Sequence, residues 1–194
     1  MKIILASASP RRSALLRQIG LDFDVCPADV AEECAGLEPE ALVLLNAERK
    51  AAAIDPGHGP AIVIGADTIV VHNGQILGKP KDRAEAFDML RRLGGGEHTV
   101  YTGVCLLSGG KKRTFAERAS VFMIDLTDAD IEAYIDTGEP MDKAGAYGLQ
   151  GRGAVFVREI RGDYTTVIGL PVCALWREIC NIIVMNTDNG IGEI

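Results

Sequence analysis

The sequence predicts an α/β fold, a mixed sheet flanked by helices, on three observations. Short apolar runs rich in β-branched residues, such as "KIILAS" and "AIVIGAD", alternate with helix-like stretches that open on Ser, Asp or Thr and close on glycine. The first run feeds straight into the first helix, the usual opening of an α/β fold. Midway along the chain an Asn-Gly pair stands between two apolar runs, which is a hairpin signal, so the sheet is read as mixed. At 194 residues the chain has the length of one domain, residues 1–194, with room for two lobes and a cleft between them. No composition shift marks an independent second domain.

In chain order, "KIILAS" is a buried strand ending in small residues. Ser9 suits an N-cap and Pro10 the first helical position, so "PRRSALLRQIG" is a helix closed by Gly20. A second helix runs from about Pro39 to the loop "DPGHGP". "AIVIGAD" is the next buried strand, and "TIVVHNGQIL" a hairpin turning at Asn73-Gly74. "DRAEAFDMLRRLGGG" is a helix capped by Asp82, and two strands around a glycine turn follow it. "TDADIEAYIDTG" is a helix with Thr127 as N-cap, Asp130 at the capping-box position and Gly138 as its stop. Then come the long glycine-rich loop "EPMDKAGAYGLQGRG", strands at "AVFVREI" and "TTVIGL", a last helix from near Pro171, and a frayed tail over about 186–194.

A net charge of −7 argues against gripping a nucleic-acid polymer, which needs many cations on phosphates. No apolar stretch has the length of a membrane span and no signal peptide is evident, so the expected location is cytoplasmic. The five cysteines are scattered without a C-x-x-C pair, and His58, His72 and His98 lack metal-ligand spacing; these are read as packing or surface residues.

Three stretches carry more charge and glycine than folding needs. In "SASPRR", Arg11 and Arg12 stand at a helix N-terminus, where cations oppose the dipole; with the unpaired backbone N–H groups there they make an anion site, most plausibly for phosphate. The alternative, two solvated arginines, stays open at this point. In "GADTIVV", Asp67 lies at the end or in the middle of an apolar run, where a carboxylate must be paired, capped or metal-bound. It is either a general base or metal ligand, or a turn aspartate bonded to local N–H groups. Lys79 in "GKP" is a further phosphate cation. In "TGEPMDKAGAYGLQG", glycines let the backbone approach a ligand, with Asp142, Lys143, Tyr147 and Gln150 as polar contacts. Neither the P-loop nor the dinucleotide fingerprint is present.

Read together, "LASASPRR", "GADTIV", "LGKP", "HTVYTGV", "TGEPMDKAGAYGLQG" and "GDYTTVIGLP" resemble the Maf family of nucleoside triphosphate pyrophosphatases over nearly the whole chain to about Leu175. The resemblance implies an elongated mixed α/β fold with a central cleft, akin to inosine triphosphatases, in a cytoplasmic protein that forms a homodimer. It implies hydrolysis of a nucleoside triphosphate substrate to the monophosphate and pyrophosphate, aided by a divalent metal cation (Mg²⁺, Mn²⁺ or Co²⁺). Carried over, Asp67 is the proton acceptor that activates water and a metal ligand, with Glu32 as a second metal contact and Glu33 its rival. Arg12, Lys50, Lys79 and Lys143 bind phosphates. Arg11, Thr68 and Gln150 mark substrate subfamilies, and "SPRR", "ADT" and "LQG" resemble the branch acting on dTTP and UTP. A purine-directed enzyme, as in the branch acting on 7-methyl-GTP, and a nucleotide-binding regulator of septum formation are the competing readings. Two positions depart from the family pattern: Asn46 replaces an apolar residue and Thr166 an asparagine, and neither is expected to touch the catalytic acid.

Overall fold

The computed structural model describes residues 1–33, 36–56 and 60–187, without the side chains of 185–187. Cys34, His58 and the tail from 188 onward lie outside the described residues. The expected start of the tail, 186–187, is still helical.

The chain opens with β1 (Lys2–Leu5), α1 (Pro10–Gln18) and the two-residue β2 (Asp24–Val25), followed by α2 (Pro39–Ala52). Next are β3 (Ala61–His72), β4 (Gln75–Leu77), α3 (Arg83–Leu93), β5 (Glu97–Ser108), β6 (Lys111–Met123) and α4 (Asp128–Ile135). Three short 3₁₀ segments (Glu139–Asp142, Ala144–Ala146 and Arg152–Phe156) precede β7 (Val157–Arg161), α5 (Tyr164–Ile168) and α6 (Val172–Thr187). The strands form one mixed sheet in the order β2-β1-β3-β5-β6-β7, with β4 paired to β3. β1 runs parallel to β2 and β3, whereas β4 on β3 and β7 on β6 are antiparallel.

Local signals account for most boundaries. Ser9 caps α1, Asp82 caps α3, and Thr127 and Asp130 close a reciprocal capping box on α4. Asn73 and Gly74 both take positive φ, as a type I′ turn requires.

The chain divides into two compact units: Met1–Asp67 with Thr102–Glu117 and Gly169–Ile194, and Thr68–Tyr101 with Arg118–Ile168. In the first, Ile4, Ala6, Ala47, Ala51, Val63 and Cys105 form a small-residue core. The second has a larger core in which Leu90, Leu93, Val121, Met123, Ile131 and Phe156 take part.

Two expectations need correction. "TTVIGL" is not a strand: its first four residues lie in α5, because Asp163 Oδ1 accepts both the Thr165 N–H (2.8 Å) and the Thr165 hydroxyl (2.6 Å) and nucleates a turn that β-branched propensity cannot outweigh. "AVFVREI" becomes a strand only from Val157, since Ala154–Phe156 belong to a 3₁₀ turn begun by the Ala154 N–H to Gly151 carbonyl bond. Within the glycine-rich loop, three short 3₁₀ segments account for much of the length.

Candidate active site

The first unit places its polar side chains by bringing α2 very close to the sheet. A Cβ on Gly65 of β3 would overlap the Ala47 carbonyl oxygen, and one on Gly103 of β5 would lie 2.6 Å from that of Val43. Glycine at both positions therefore lets the helix backbone rest on the strands. The buried stripe of α2 is Leu42, Val43, Asn46, Ala47, Lys50 and Ala51. Asn46 and Lys50 are four residues apart on that stripe, so both polar heads arrive together over the strand.

They meet Asp67, which lies inside β3 and is 4 % exposed. Lys50 Nζ donates to Asp67 Oδ1 at 2.6 Å and pairs with Glu32 Oε1 at 2.6 Å. Asn46 Nδ2 donates to Asp67 Oδ2 at 3.1 Å. The expectation that Asn46 leaves the acid untouched is thus corrected: an amide 2 % exposed must find partners, and Asp67 is one of them. Its others are the backbone of Glu33, whose N–H donates to Asn46 Oδ1 (2.8 Å) and whose carbonyl accepts from Nδ2 (2.9 Å). This amide clamp ties the Glu32–Glu33 segment to the helix. Of the two rival acids, Glu32 joins Lys50 and Asp67, while Glu33 faces Arg49 at 3.7 Å.

Arg12 belongs to the same unit. It is 9 % exposed, with Nε donating to the Gly169 carbonyl (2.8 Å) and Nη1 to Ser7 Oγ (2.9 Å). Burial draws its guanidinium below the ordinary arginine value, Asp67 and Glu32 work against that, and the charge of Arg11 adds to it. Arg12 is therefore no solvated surface arginine, and Arg11 beside it is half-buried. Four of the expected residues, Arg12, Glu32, Lys50 and Asp67, thus act on one another electrostatically within one unit.

Thr68, Lys79, Lys143 and Gln150 belong to the second unit. Thr68 is half-buried, and Lys79 and Gln150 are exposed. Lys143 is buried, and its Nζ donates to the Glu139 carbonyl (2.5 Å) and to Asp142 Oδ1 (2.6 Å). Beside Lys143 stands Glu139, which the sequence did not single out. Glu139 accepts from Tyr134 and from two backbone N–H groups, and the buried His98 Nε2 lies 2.8 Å from the Tyr147 hydroxyl. The only sequence signal of Glu139 is its membership of a dense polar and glycine-rich stretch, and Tyr134 shows none beyond its place in α4.

A divalent metal has a donor set here, though a sparse one. Among the described residues no three His, Cys, Asp or Glu side chains cluster as a metal cage. Asp67 and Glu32 do offer hard carboxylate oxygens that converge on a single Lys50 Nζ. One or two carboxylates completed by phosphate oxygens is the habit of Mg²⁺, so the residues fit a cation that arrives with a phosphate ligand.

Residues 2–182 match the family described as Maf-like protein. The chain is 50 % identical to a dTTP/UTP pyrophosphatase of Bacillus cytotoxicus, covering 92 % of this chain and 94 % of that one. It is 48 % identical to a dTTP/UTP pyrophosphatase of Carboxydothermus hydrogenoformans, covering 92 % and 97 %. Among solved structures, the Ham1 protein of Staphylococcus aureus aligns with a TM-score of 0.43 and 17 % identity over 64 % of this chain and 73 % of that one. On the family match and on relatives near half identity over almost their full length, the chain belongs to the Maf family.

Proposed function

We propose that this protein is a metal-dependent nucleoside triphosphate pyrophosphatase that hydrolyses dTTP and UTP to the monophosphate and pyrophosphate. One observation carries the reading: a nearly buried carboxylate, Asp67, held by Lys50 and Asn46, with buried Arg12 acting electrostatically on it. The names of the relatives point to the same substrates.

Each Asp67 oxygen has two lone-pair sites, and the bonds to Lys50 and Asn46 use one on each oxygen. Asp67 takes a proton from water, whose oxygen forms a bond to the α-phosphorus as the bond from that phosphorus to the bridging oxygen breaks. The electron pair leaves with pyrophosphate. Arg12 and Lys50, with Lys79 and Lys143, spread the phosphate charge that develops. A divalent cation held by Asp67 and Glu32 would neutralise phosphate oxygens when bound. Arg11, Thr68 and Gln150 select the base.

Pyrophosphate release measured across a nucleotide panel with Mg²⁺, Mn²⁺ and Co²⁺ tests this. In ¹⁸O-water the label is expected in the monophosphate. A purine preference above roughly tenfold overturns the pyrimidine assignment. Tight nucleotide binding without hydrolysis under any of these metals favours the regulator.

A further inference from the structure

The segment 148–153 of the second unit is organised around one acid. Glu139 Oε1 accepts the Tyr134 hydroxyl (2.8 Å) and the Gly153 N–H (3.3 Å), and Oε2 accepts the Arg152 N–H (2.9 Å). The same Tyr134 oxygen accepts the Gly148 N–H at 3.1 Å. The segment is thus tied on both sides of Gln150, at 148 and at 152–153, to a single carboxylate–phenol pair. Packing is as tight as the bonding: a Cβ on Gly151 would lie 2.7 Å from Glu139 Oε1, and that glycine takes a φ of 126°, which side-chain-bearing residues avoid. Tyr134 is itself fixed edge-on against Phe156, with ring centroids 5.0 Å apart. Gln150, between the two tethers, is left exposed.

Charge supports the geometry. Burial raises the Glu139 carboxyl, but the Arg152 and Gly153 N–H groups, the Tyr134 hydroxyl and the Lys143 charge outweigh it and hold the group below its ordinary value. The Glu139 carbonyl also anchors Lys143 Nζ at 2.5 Å, so one residue organises both a candidate phosphate cation and the segment bearing a candidate base-selecting side chain.

We infer that Glu139 is a positioning residue for base selection, holding Gln150 in place through backbone bonds on either side of it. This rests on the reading that Gln150 selects the base. It separates Glu139 from Asp67: loss of Glu139 should erode discrimination and raise KM for UTP, while kcat changes much less.

The test is a double-mutant cycle read as the ratio of kcat/KM for UTP over GTP, with Glu139→Gln, Gln150→Ala and the pair. Each single change is expected to lower the ratio by about fivefold or more, and Glu139→Gln should add nothing further once Gln150 is alanine. Equal losses in both backgrounds, or no loss on Glu139→Gln alone, overturn the role of Glu139 while leaving that of Gln150 intact. If Gln150→Ala leaves the ratio unchanged, the base-selecting assignment falls and this inference with it. Should Glu139→Gln fail to fold, Tyr134→Phe removes the hydroxyl tether to Gly148 while keeping the ring, and the same pattern is expected in its cycle with Gln150→Ala. Amide exchange supplies a readout independent of activity: glutamine keeps one acceptor oxygen, so at least one of Arg152 and Gly153 should lose protection in Glu139→Gln, and protection retained at both contradicts the tether.

Discussion

In the first unit a buried polar cluster is built mainly on ions, with Lys50 shared by Asp67 and the exposed Glu32, Arg12 buried alongside, and the buried Asn46 amide bonded to Asp67. In the second unit the buried His98 and Tyr147 form a neutral pair, and burial acts on both against charge: it lowers the imidazole to about 4 and pushes the phenol up. The ion cluster pairs Lys50 with two carboxylates, whereas His98 keeps one buried ring nitrogen, Nδ1, without a hydrogen-bond partner among the described residues, so the two respond to perturbation differently. An ion cluster is costly to break from one side, because the partner left behind is a buried charge. A neutral pair tolerates loss of one hydrogen bond and fails when a proton is forced onto it.

The largest expected effect is on the ion cluster. Lys50→Met leaves Asp67 and Glu32 facing each other without their shared cation, and should cost about 3–5 kcal/mol in urea unfolding. A loss below about 1 kcal/mol would mean that solvent already screens these charges.

Next comes the neutral pair. An unfolded chain takes up a proton at His98 near 6.5, whereas the folded chain resists until about 4, and Nδ1 is buried with no hydrogen-bond partner among the described residues. The contribution to stability is therefore complete above pH 6.5 and is lost as pH falls through the interval to about 4, amounting to roughly 3 kcal/mol. His98→Gln should flatten the pH dependence of the urea midpoint over that interval. An unchanged slope would place the acid sensitivity elsewhere.

A smaller effect is expected at Asn46→Leu, which strips Asp67 of one donor and the Glu33 backbone of its clamp, at about 1–3 kcal/mol. Turnover should fall with it, since the Glu32–Glu33 segment loses its tie to α2. A variant as active and stable as the parent would show that Lys50 alone orients the acid.

Legibility in the sequence followed the range of the interactions. Ser9, Asp82, Asn73-Gly74 and the Thr127–Asp130 box act over a few residues, so their elements could be read directly. Asp163 is equally local, yet the β-branched run after it hid a helix of five residues. Asn46 stands out in the sequence only as a departure from the family pattern, and its partner Asp67 lies 21 residues away, the pairing depending on the close approach that Gly65 and Gly103 permit. Lys50 follows from the family resemblance rather than from spacing, and the structure supplies the physical reason for its place. Glu139 could not be distinguished from other loop acids, because its partners are mainly backbone N–H groups that sequence does not mark.

The proposed role of Asp67 in activating the attacking water stands or falls with the Asp67→Asn variant. Lys50 keeps Glu32 as its counter-ion in that variant, so the fold should be retained. Pyrophosphate release from dTTP and UTP is expected to fall by about 10²–10⁴-fold at saturating nucleotide and metal, with the circular dichroism spectrum unchanged. Turnover near that of the parent from a folded Asp67→Asn protein would contradict the account.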